Sequence, residues 1–362
     1  MAPKRGKMCL LVGTRKGAFV FTSGKNRKEW KVSGPHLKGQ EVYHMAYDRR
    51  NGHMLASIIS NHFGPTIARS KNMGGEWKES KTPPKFPKGS GLSVARLWHI
   101  RPGSEDEPGV VYAGVEPACL FKSTDGGESW TVNEALMTHK TRKKWTPGGG
   151  GLCLHTILPS PKKPGRMHIA ISSVGTLRTD DGGDSWKFQN KNVLADFSPI
   201  KYPEFGQCVH KLAFNQSNPD VIYHQNHCGV YRSDDAGENW VDIRNNLPSR
   251  FGFPVAADAN DAKRAYVAPL EGDYSRIPPE GSFAIWGTDN RGKEWFKLND
   301  GIPAVSYYTV LRDGMVSDEE DPCGLYFGTT TGQLFTSRDQ GAKWVKVADG
   351  LPPILSVAVS ET

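Results

Sequence analysis

The stretch Ser123-Thr-Asp-Gly-Gly-Glu-Ser-Trp130 decides the fold, because versions of it recur along the whole chain. Clear copies are Thr179-Asp-Asp-Gly-Gly-Asp-Ser-Trp186 and Ser233-Asp-Asp-Ala-Gly-Glu-Asn-Trp240, and weaker copies end at Trp30, Trp77, Trp295 and Trp344. Successive tryptophans are 47, 53, 56, 54, 55 and 49 residues apart. A self-similar period of this length is the sequence signature of a repeat architecture.

Each repeat contains four short runs of strand type. The turn before the tryptophan is rich in Asp, Gly and Ser, which accept positive φ or bond back to nearby amides. The runs on either side of it, such as residues 119–122 and 130–133, predict a β-hairpin. Two more runs precede each hairpin, such as residues 152–158 and 167–172. We name these four predicted strands A, B, C and D in chain order, and no run has a helical periodicity.

Four short antiparallel strands, repeated seven times around an axis, predict an all-β chain that forms a single seven-bladed β-propeller. The first repeat begins at strand B, so residues 354–360 are expected to supply its strand A and close the ring. Residues 1–7 form a basic tail, and residues 8–362 form the propeller. The predicted blades are 8–33 plus 354–360, 40–81, 92–133, 151–190, 206–245, 251–299 and 305–349.

The turns resemble the Asp-box, or BNR repeat, whose pattern is S-x-D-x-G-x-x-W. The chain is therefore similar to the BNR-type propellers of the sialidase-like superfamily, and to WD40, YVTN and BNR-like repeat proteins more widely. The resemblance implies the fold, and it gives Asp125, Asp181 and Asp235 turn roles. It does not imply a true sialidase, because Arg276-Ile-Pro occurs late, inside an insertion, and sialidases usually have six blades. Fold alone does not imply function.

Composition narrows the class of protein. The 362 residues carry a net charge of +8, and their Lys and Arg cluster in loops without a nucleic-acid-binding motif, so no specific nucleic-acid partner is expected. No apolar run is long enough to span a membrane, and no apolar signal core follows the basic N-terminus. We therefore expect a cytoplasmic protein. Its six cysteines include no CxxC pair, so they are expected as free thiols, with disulfides as the alternative.

Four consecutive A strands carry histidine, and strand A lines the central channel of a propeller. The histidines are His44, His99, His155 and His210. Strand alternation places Cys153 beside His155 and Cys208 beside His210. If these side chains point to the axis, imidazoles and thiols converge there and predict a transition-metal site for Zn, Cu or Fe. The alternative is that the histidines bond to neighbouring backbone and fill the channel.

The D-to-A and B-to-C connections open on one face of the ring, and long loops over a rigid scaffold concentrate functional residues. The candidate catalytic residues there are Glu116, Glu271, His62 and His227. The candidate substrate-binding residues are Trp98, Trp145, Tyr274, Arg276, Phe253 and Tyr307.

These patterns favour a metal-dependent enzyme whose reaction, hydrolysis, elimination or oxygen chemistry, stays open. One alternative is a metal-free, glycosidase-like hydrolase or lyase acting on a polar or anionic substrate, in which Glu116 or Glu271 matters more than the histidines. Another is a non-enzymatic scaffold with a protein partner. For an enzyme of either kind we expect a small-molecule or carbohydrate substrate.

Overall fold

The computed structural model describes residues 6–60 and 64–362, which form seven four-stranded antiparallel sheets. This arrangement confirms the prediction of an all-β, seven-bladed β-propeller. The chain closes the ring as predicted, because its last strand pairs antiparallel with its first, with Cys9 opposite Ser360 and Leu11 opposite Ala358. No helix within the described ranges is long and apolar enough to cross a membrane.

The strands of the first four blades follow one another in chain order. Blade one contains β1 (Lys7–Thr14), β2 (Gly17–Gly24) and β3 (Lys31–His36), and blade two contains β4 (Val42–Asp48), β5 (His53–Ser60), β6 (Gly64–Ser70) and β7 (Lys78–Glu79). Blade three contains β8 (Arg96–Pro102), β9 (Val111–Glu116), β10 (Cys119–Ser123) and β11 (Thr131–Val132). Blade four contains β12 (Leu154–Pro159), β13 (Met167–Ile171), β14 (Gly175–Thr179) and β15 (Lys187–Phe188).

The last three blades repeat the pattern, and the final strand returns to blade one. Blade five contains β16 (Val209–Phe214), β17 (Ile222–Asn226), β18 (Gly229–Ser233) and β19 (Val241–Asp242). Blade six contains β20 (Phe251–Ala257), β21 (Ala265–Leu270), β22 (Ile285–Thr288) and β23 (Phe296–Leu298). Blade seven contains β24 (Met315–Ser317), β25 (Leu325–Gly328), β26 (Leu334–Ser337) and β27 (Val345–Ala348), and β28 (Ile354–Glu361) is strand A of blade one. Helix α1 (Glu134–Met137) and two 3₁₀ turns, Arg142–Lys144 and Pro279–Gly281, lie in connections.

The recurring tryptophans join each blade to the one before it. Trp240, Trp295 and Trp344 are each 2% exposed. Trp240 Nε1 donates to the carbonyl oxygen of Gln189 at 2.8 Å, and Trp295 Nε1 donates to that of Ile243 at 2.7 Å. A buried indole thus fills the space between two sheets while its N–H group is satisfied. The period seen in the sequence is therefore the period of blade-to-blade packing.

The turn before each tryptophan is held by its own side chains. Ser123 Oγ donates to Asp125 Oδ1 at 2.7 Å and accepts the N–H of Gly127 at 2.8 Å. Asp125 Oδ1 also accepts the N–H of Ser129 at 3.0 Å. Burial acts to raise the pKa of Asp125, but hydrogen bonds from Ser129 and Ser123 outweigh it and lower that pKa to about 2. This carboxylate has a structural role in its turn.

We expect Ser123→Ala to lower the free energy of unfolding by about 1–2 kcal/mol, because the N–H of Gly127 loses its buried acceptor. Urea unfolding would measure this change. The matched control is Ser129→Ala, whose exposed hydroxyl also bonds Asp125 and should matter by about 0.5 kcal/mol or less. Equal losses in the two variants would contradict a turn that depends on the buried hydroxyl.

The topology fixes two faces of the ring. We call the face formed by the D-to-A and B-to-C connections the upper face; it includes residues 133–153 and 189–208. The A-to-B and C-to-D connections, including the tryptophan turns, form the lower face. Each A strand runs from the upper face to the lower face along the central channel.

Candidate active site

The A strands are bulged at one place, and this bulge separates the four channel histidines. Val42 pairs with Ile58 and His44 with Ser57, so Tyr43 is the extra residue of β4. The extra residue is Trp98 in β8, His155 in β12 and His210 in β16. An extra residue shifts the alternation of the following side chains. His155 and His210 therefore occupy the level of Tyr43 and Trp98, while His44 and His99 occupy that of Thr156 and Lys211.

His44 and His99 face Asp313 in the interior of the channel. Their ring centroids are 4.2 Å apart, and Asp313 Oδ1 lies 3.9 Å from His44 Nε2 and 3.6 Å from His99 Nδ1. The ammonium group of Lys211 contacts the same carboxylate oxygen. Although burial alone would raise it, Lys211 and then His99 hold the pKa of Asp313 well below its usual value. Burial lowers the pKa of both histidines, so they are neutral beside an ion pair.

Among the described residues, His155 belongs to neither of the two groups of potential metal ligands. It is fully buried, its Nδ1 lies 3.1 Å from Thr156 Oγ1, and its Nε2 lies 3.1 Å from the carbonyl oxygen of Val209. Both ring nitrogens are thus engaged by protein groups. Cys153, expected beside it, is buried, and its Sγ lies 3.8 Å from the carbonyl oxygen of Gly150. The expectation that four imidazoles meet at one point is corrected, because the bulge distributes them over two levels.

His210 contributes to a second group, near the upper face. Its Nδ1 lies 2.5 Å from the carbonyl oxygen of Gly252 and so carries the proton, which leaves Nε2 as an acceptor 3.7 Å from Cys208 Sγ. His227 follows β17 in the turn to β18, and donor atoms of Cys208, His210 and His227 lie within 4.8 Å of one another. Burial and the nearby Arg312 keep the pKa of His210 well below its usual value. Burial also raises the pKa of the Cys208 thiol.

Arg312 lies beside this group with its guanidinium between two aromatic rings. The guanidinium carbon is 5.5 Å from the ring centroid of Trp98 and 5.5 Å from that of Phe253. Among the described residues, its Nε is buried without a hydrogen-bond partner. Trp98 Nε1 donates to Glu116 Oε2 at 2.9 Å. We call these residues together with the Cys208 group the upper basin: Trp98, Glu116, Cys208, His210, His227, Phe253 and Arg312.

A glycine-rich loop borders the upper basin. A Cβ added to Gly150 would lie 3.2 Å from Arg312 Nη2, and one added to Gly151 would collide with the Glu116 carboxylate. Gly151 also has a φ of +85°, which side chains rarely adopt. Glycine at these positions lets the connection from blade three to blade four approach the basin closely.

The other residues predicted from the sequence lie at the border of the upper basin, on the exposed upper face, in the hydrophobic core or outside the described residues. The Arg276 guanidinium lies 5.2 Å from the Phe253 ring centroid, at the border of the basin. Tyr274 is 100% exposed and Tyr307 61% exposed on upper-face connections, and Glu271 is exposed as well. Trp145 belongs to the hydrophobic core instead, with its Nε1 donating to Thr141 Oγ1 at 2.8 Å. His62 lies outside the described residues.

Lys211, Arg312 and Asp313 were not among the site residues predicted from the sequence. In blade seven the sequence indicated Tyr307, as a substrate-binding residue, whereas Arg312 and Asp313 contact the channel residues of the other blades. Lys211 directly follows His210, where simple alternation would turn it away from the channel. The bulge at His210 brings it to the level of His44 and His99.

Comparisons with known proteins identify partial sequence relatives. No family model matches the chain. A xyloglucanase from Paenibacillus sp is 31% identical over 155 residues, which are 39% of this chain and 14% of that protein. The xyloglucanase Xgh74A of Acetivibrio thermocellus is 27% identical over 168 residues, 41% of this chain and 18% of that protein. The matches thus span less than a fifth of these relatives' length.

Solved structures share the fold at low sequence identity. An ancestral GH74 enzyme has a TM-score of 0.59 and 16% identity over 91% of this chain and 39% of its own. YCF48 bound to a D1 peptide has a TM-score of 0.53 and 15% identity, with 84% and 80% covered. The periplasmic gluconolactonase PpgL of Pseudomonas aeruginosa has a TM-score of 0.59 and 11% identity, with 98% and 100% covered. At these identities the likeness establishes a shared propeller fold.

Proposed function

We propose that this propeller is a metal-assisted hydrolase that acts on a polar or anionic carbohydrate in the upper basin. One observation carries the proposal: the donor atoms of Cys208, His210 and His227 converge beside the Arg312 guanidinium. The partial sequence matches to two proteins named xyloglucanases support hydrolysis of a carbohydrate. This function replaces the predicted four-histidine site with a smaller set of donor atoms near the upper face.

The geometry of the Cys208 group fits a zinc-class ion. Zn–S and Zn–N bonds of about 2.3 and 2.0–2.1 Å in a tetrahedron place sulfur and nitrogen about 3.6 Å apart. Cys208 Sγ and His210 Nε2 are 3.7 Å apart. His210 also donates its other N–H to a backbone carbonyl, as metal-ligating histidines usually do. Three protein ligands leave a fourth position open for water or substrate.

The group at His44 and His99 is a poorer metal site, although its donor atoms are also close together. The Lys211 ammonium contacts the oxygen of Asp313 that a metal would need. A cation entering there would meet a positive charge already paired with the carboxylate. We therefore assign the metal to Cys208, His210 and His227.

The other residues of the upper basin can bind the substrate and transfer a proton. A bound metal would supply a water whose pKa is lowered towards about 7. The Arg312 guanidinium, positioned by Trp98 and Phe253, can bind a carboxylate or hydroxyl of the substrate. Glu116, held by the Trp98 indole, can donate or accept the proton at the leaving group. The exposed rings of Tyr274 and Tyr307 offer apolar faces to a sugar.

The first prediction concerns the metal content of the purified protein. Protein purified without chelator should carry one zinc-class ion per chain, measured by elemental analysis. Cys208→Ser, His210→Ala and His227→Ala should each lower metal affinity by at least about tenfold. His53→Gln, which alters a histidine at the start of β5, is the matched control and should keep the ion. Metal-free wild-type protein, or equal loss in the control, would contradict the assignment.

Hydrolysis is tested separately, with a panel of glycosides that includes xyloglucan oligosaccharides and uronic-acid-containing substrates. Glu116→Gln should lower kcat by about 10²–10⁴ if this carboxyl moves a proton. Arg312→Lys should act mainly on KM for the anionic substrates, because Lys lacks the planar fork of donors. Unchanged kcat in Glu116→Gln would remove Glu116 from the reaction.

A second function, binding of a protein partner, is favoured by the apolar surface around the basin. Within the described residues, exposed large apolar side chains on the upper-face connections are Leu92, Phe197, Ile200, Tyr202, Tyr274, Val305 and Tyr307. Apolar clusters of this kind mark interaction surfaces. Capture of one stoichiometric partner that Tyr202→Ser and Tyr307→Ser release, together with no hydrolysis of the panel, would favour this function over the first.

A further inference from the structure

A second cavity opens at the opposite end of the channel, on the lower face. Its volume is about 630 Å³, within the range of about 300–1,000 Å³ typical of ligand sites. The inner end is formed by His44, His99, Lys211 and Asp313. Arg101 lies in its wall. The residues of the upper basin do not line this cavity, so it is a separate space.

Most charges in the cavity wall are already paired. The ion pairs are Arg49 with Glu319 at 2.7 Å, Arg50 with Asp48 at 2.8 Å, Arg27 with Asp318 at 3.0 Å, and Lys211 with Asp313. Lys162 Nζ donates to the carbonyl oxygen of Ser217. Glu105 and Asp106 are exposed at the mouth. The ion pairs therefore cancel one another, and Lys162 is held by a backbone carbonyl, so among the described residues of the wall one arginine is left without a partner.

Arg101 is the exception. Its guanidinium makes no hydrogen bond or ion pair with any residue in the described ranges. It lies two positions beyond His99 on β8, and alternation therefore points both side chains into the channel. Burial, and then the charge of Arg49, lower the pKa of Arg101. Arg101 is half-buried, and an anion from solution would supply the partner that the described residues do not give its guanidinium.

His99 provides a second unpartnered group in the same wall. It is 6% exposed, and its Nδ1 has no hydrogen-bond partner in the part of the chain that is described. Asp313 Oδ1 lies 3.6 Å away, slightly beyond a normal hydrogen bond, although its charge still acts to raise the pKa of His99. A ligand that reaches the inner end of the cavity would find this nitrogen available.

We propose that the lower cavity binds a small molecule through a carboxylate or phosphate group, which Arg101 receives with its fork of N–H donors. Guanidinium groups form bidentate pairs with both anions, and the cavity has room for a molecule of sugar size. Carboxylates at the mouth and at Asp313 repel an anion, so the charged group should sit at the level of Arg101. This site goes beyond the proposed hydrolase, because it uses none of the residues of the upper basin.

The test is calorimetric titration of the full-length protein with inorganic phosphate and, separately, with gluconate. Wild type should bind at least one of them in a saturable manner, and which one binds distinguishes a phosphate ligand from a carboxylate ligand. Arg101→Gln should weaken that binding by at least about tenfold. Arg338→Gln, which removes the same charge from an exposed turn on the lower face, is the matched control and should bind as wild type does.

Thermal unfolding supplies a second readout. Without either anion, Arg101→Gln should melt at the wild-type temperature or above it, because an unpaired charge has been removed; with the bound anion, only wild type and Arg338→Gln should gain stability. His210→Ala should still bind the anion, which keeps this site distinct from the upper basin. No saturable binding, equal weakening in both arginine variants, or an equal stabilisation by sodium chloride would overturn the proposal.

Discussion

Lowering the pH from 7 to 5 is expected to destabilise this protein by several kcal/mol. Six histidines are buried in the described residues: His44, His99, His155, His168, His210 and His224. Burial lowers the pKa of each of them, to about 4 for His168 and about 3 for His224. The unfolded chain, in which these histidines have a pKa of about 6.5, therefore binds more protons than the folded protein below that pH.

The direction of the effect follows from this difference in proton binding. Stability rises with pH wherever the unfolded state binds more protons, so these histidines destabilise the fold as the pH falls below about 6.5. Each contributes up to about 1.4 kcal/mol per pH unit down to its folded pKa. His168 and His224 together contribute up to about 3 kcal/mol per pH unit near pH 5, and the other four act in the same direction. This is a large fraction of the stability of a typical domain, which is about 5–15 kcal/mol.

Urea unfolding at pH 7.5, 6.5, 5.5 and 4.5 would measure this loss. His168→Gln should flatten the profile between pH 6 and 4, because a neutral amide replaces an imidazole whose Nε2 lies 2.8 Å from the carbonyl oxygen of Ala236. His53→Gln, which alters a half-buried histidine, should change the profile much less. A free energy of unfolding that stays constant from pH 7.5 to 5 would contradict neutral buried histidines.

Asp313→Ala is expected to destabilise the protein by about 3–5 kcal/mol at pH 7, because it leaves the Lys211 ammonium without its carboxylate in the channel. The pKa of Asp313 is depressed in the folded state. Its stabilising effect is thus fully present above its unfolded pKa of about 3.9 and is lost as the pH falls towards the folded value. Urea unfolding of the variant at pH 7 would measure the cost directly.

The double variant Asp313→Ala with Lys211→Met provides the control. Removing both charges leaves no unpaired ion, so most of the lost stability should return. If the loss of stability in the double variant equals the sum of the losses in Asp313→Ala and Lys211→Met, then Lys211 and Asp313 do not stabilise each other. Wild-type stability in Asp313→Ala would contradict the paired channel interior altogether.

The fold could be predicted from the sequence because the repeated unit is large, periodic and locally encoded. Each copy carries its own turn, and the tryptophan that ends the turn packs between blades, so seven weak signals reinforce one another. The missing strand A of the first repeat and the apolar run at residues 354–360 predicted the pairing of β28 with β1, which the structure contains.

The site was harder to predict because one extra residue in a strand reverses which side chains face the axis. A signal for the true register was present in the apolar residues that flank the histidines. These pairs, each three positions apart and all nearly fully buried, are Val42 and Met45, Leu97 and Ile100, Leu154 and Ile157, and Val209 and Leu212. Aligned on them, His44 and His99 occupy the third position, whereas His155 and His210 occupy the second.

The channel residues of blade seven, Arg312 and Asp313, were not predicted for a different reason. Strand A of this blade is short, because β24 covers only Met315–Ser317. Residues 309–314 before it are irregular, and Gly314 donates its N–H to the carbonyl oxygen of Leu311. No strand template aligns Arg312 and Asp313 with the histidines of other blades. A charged pair in an apolar surrounding, Leu311-Arg-Asp-Gly-Met-Val316, was the remaining hint in the sequence.

Anomalous diffraction at the zinc edge, from crystals grown without chelator, tests the central claim most directly. We predict one strong peak about 2.0–2.3 Å from Cys208 Sγ, His210 Nε2 and a ring nitrogen of His227. A peak between His44, His99 and Asp313 would contradict the assignment of the metal to the upper basin. Crystals with no peak after soaking in zinc would contradict a metal-assisted reaction in this propeller.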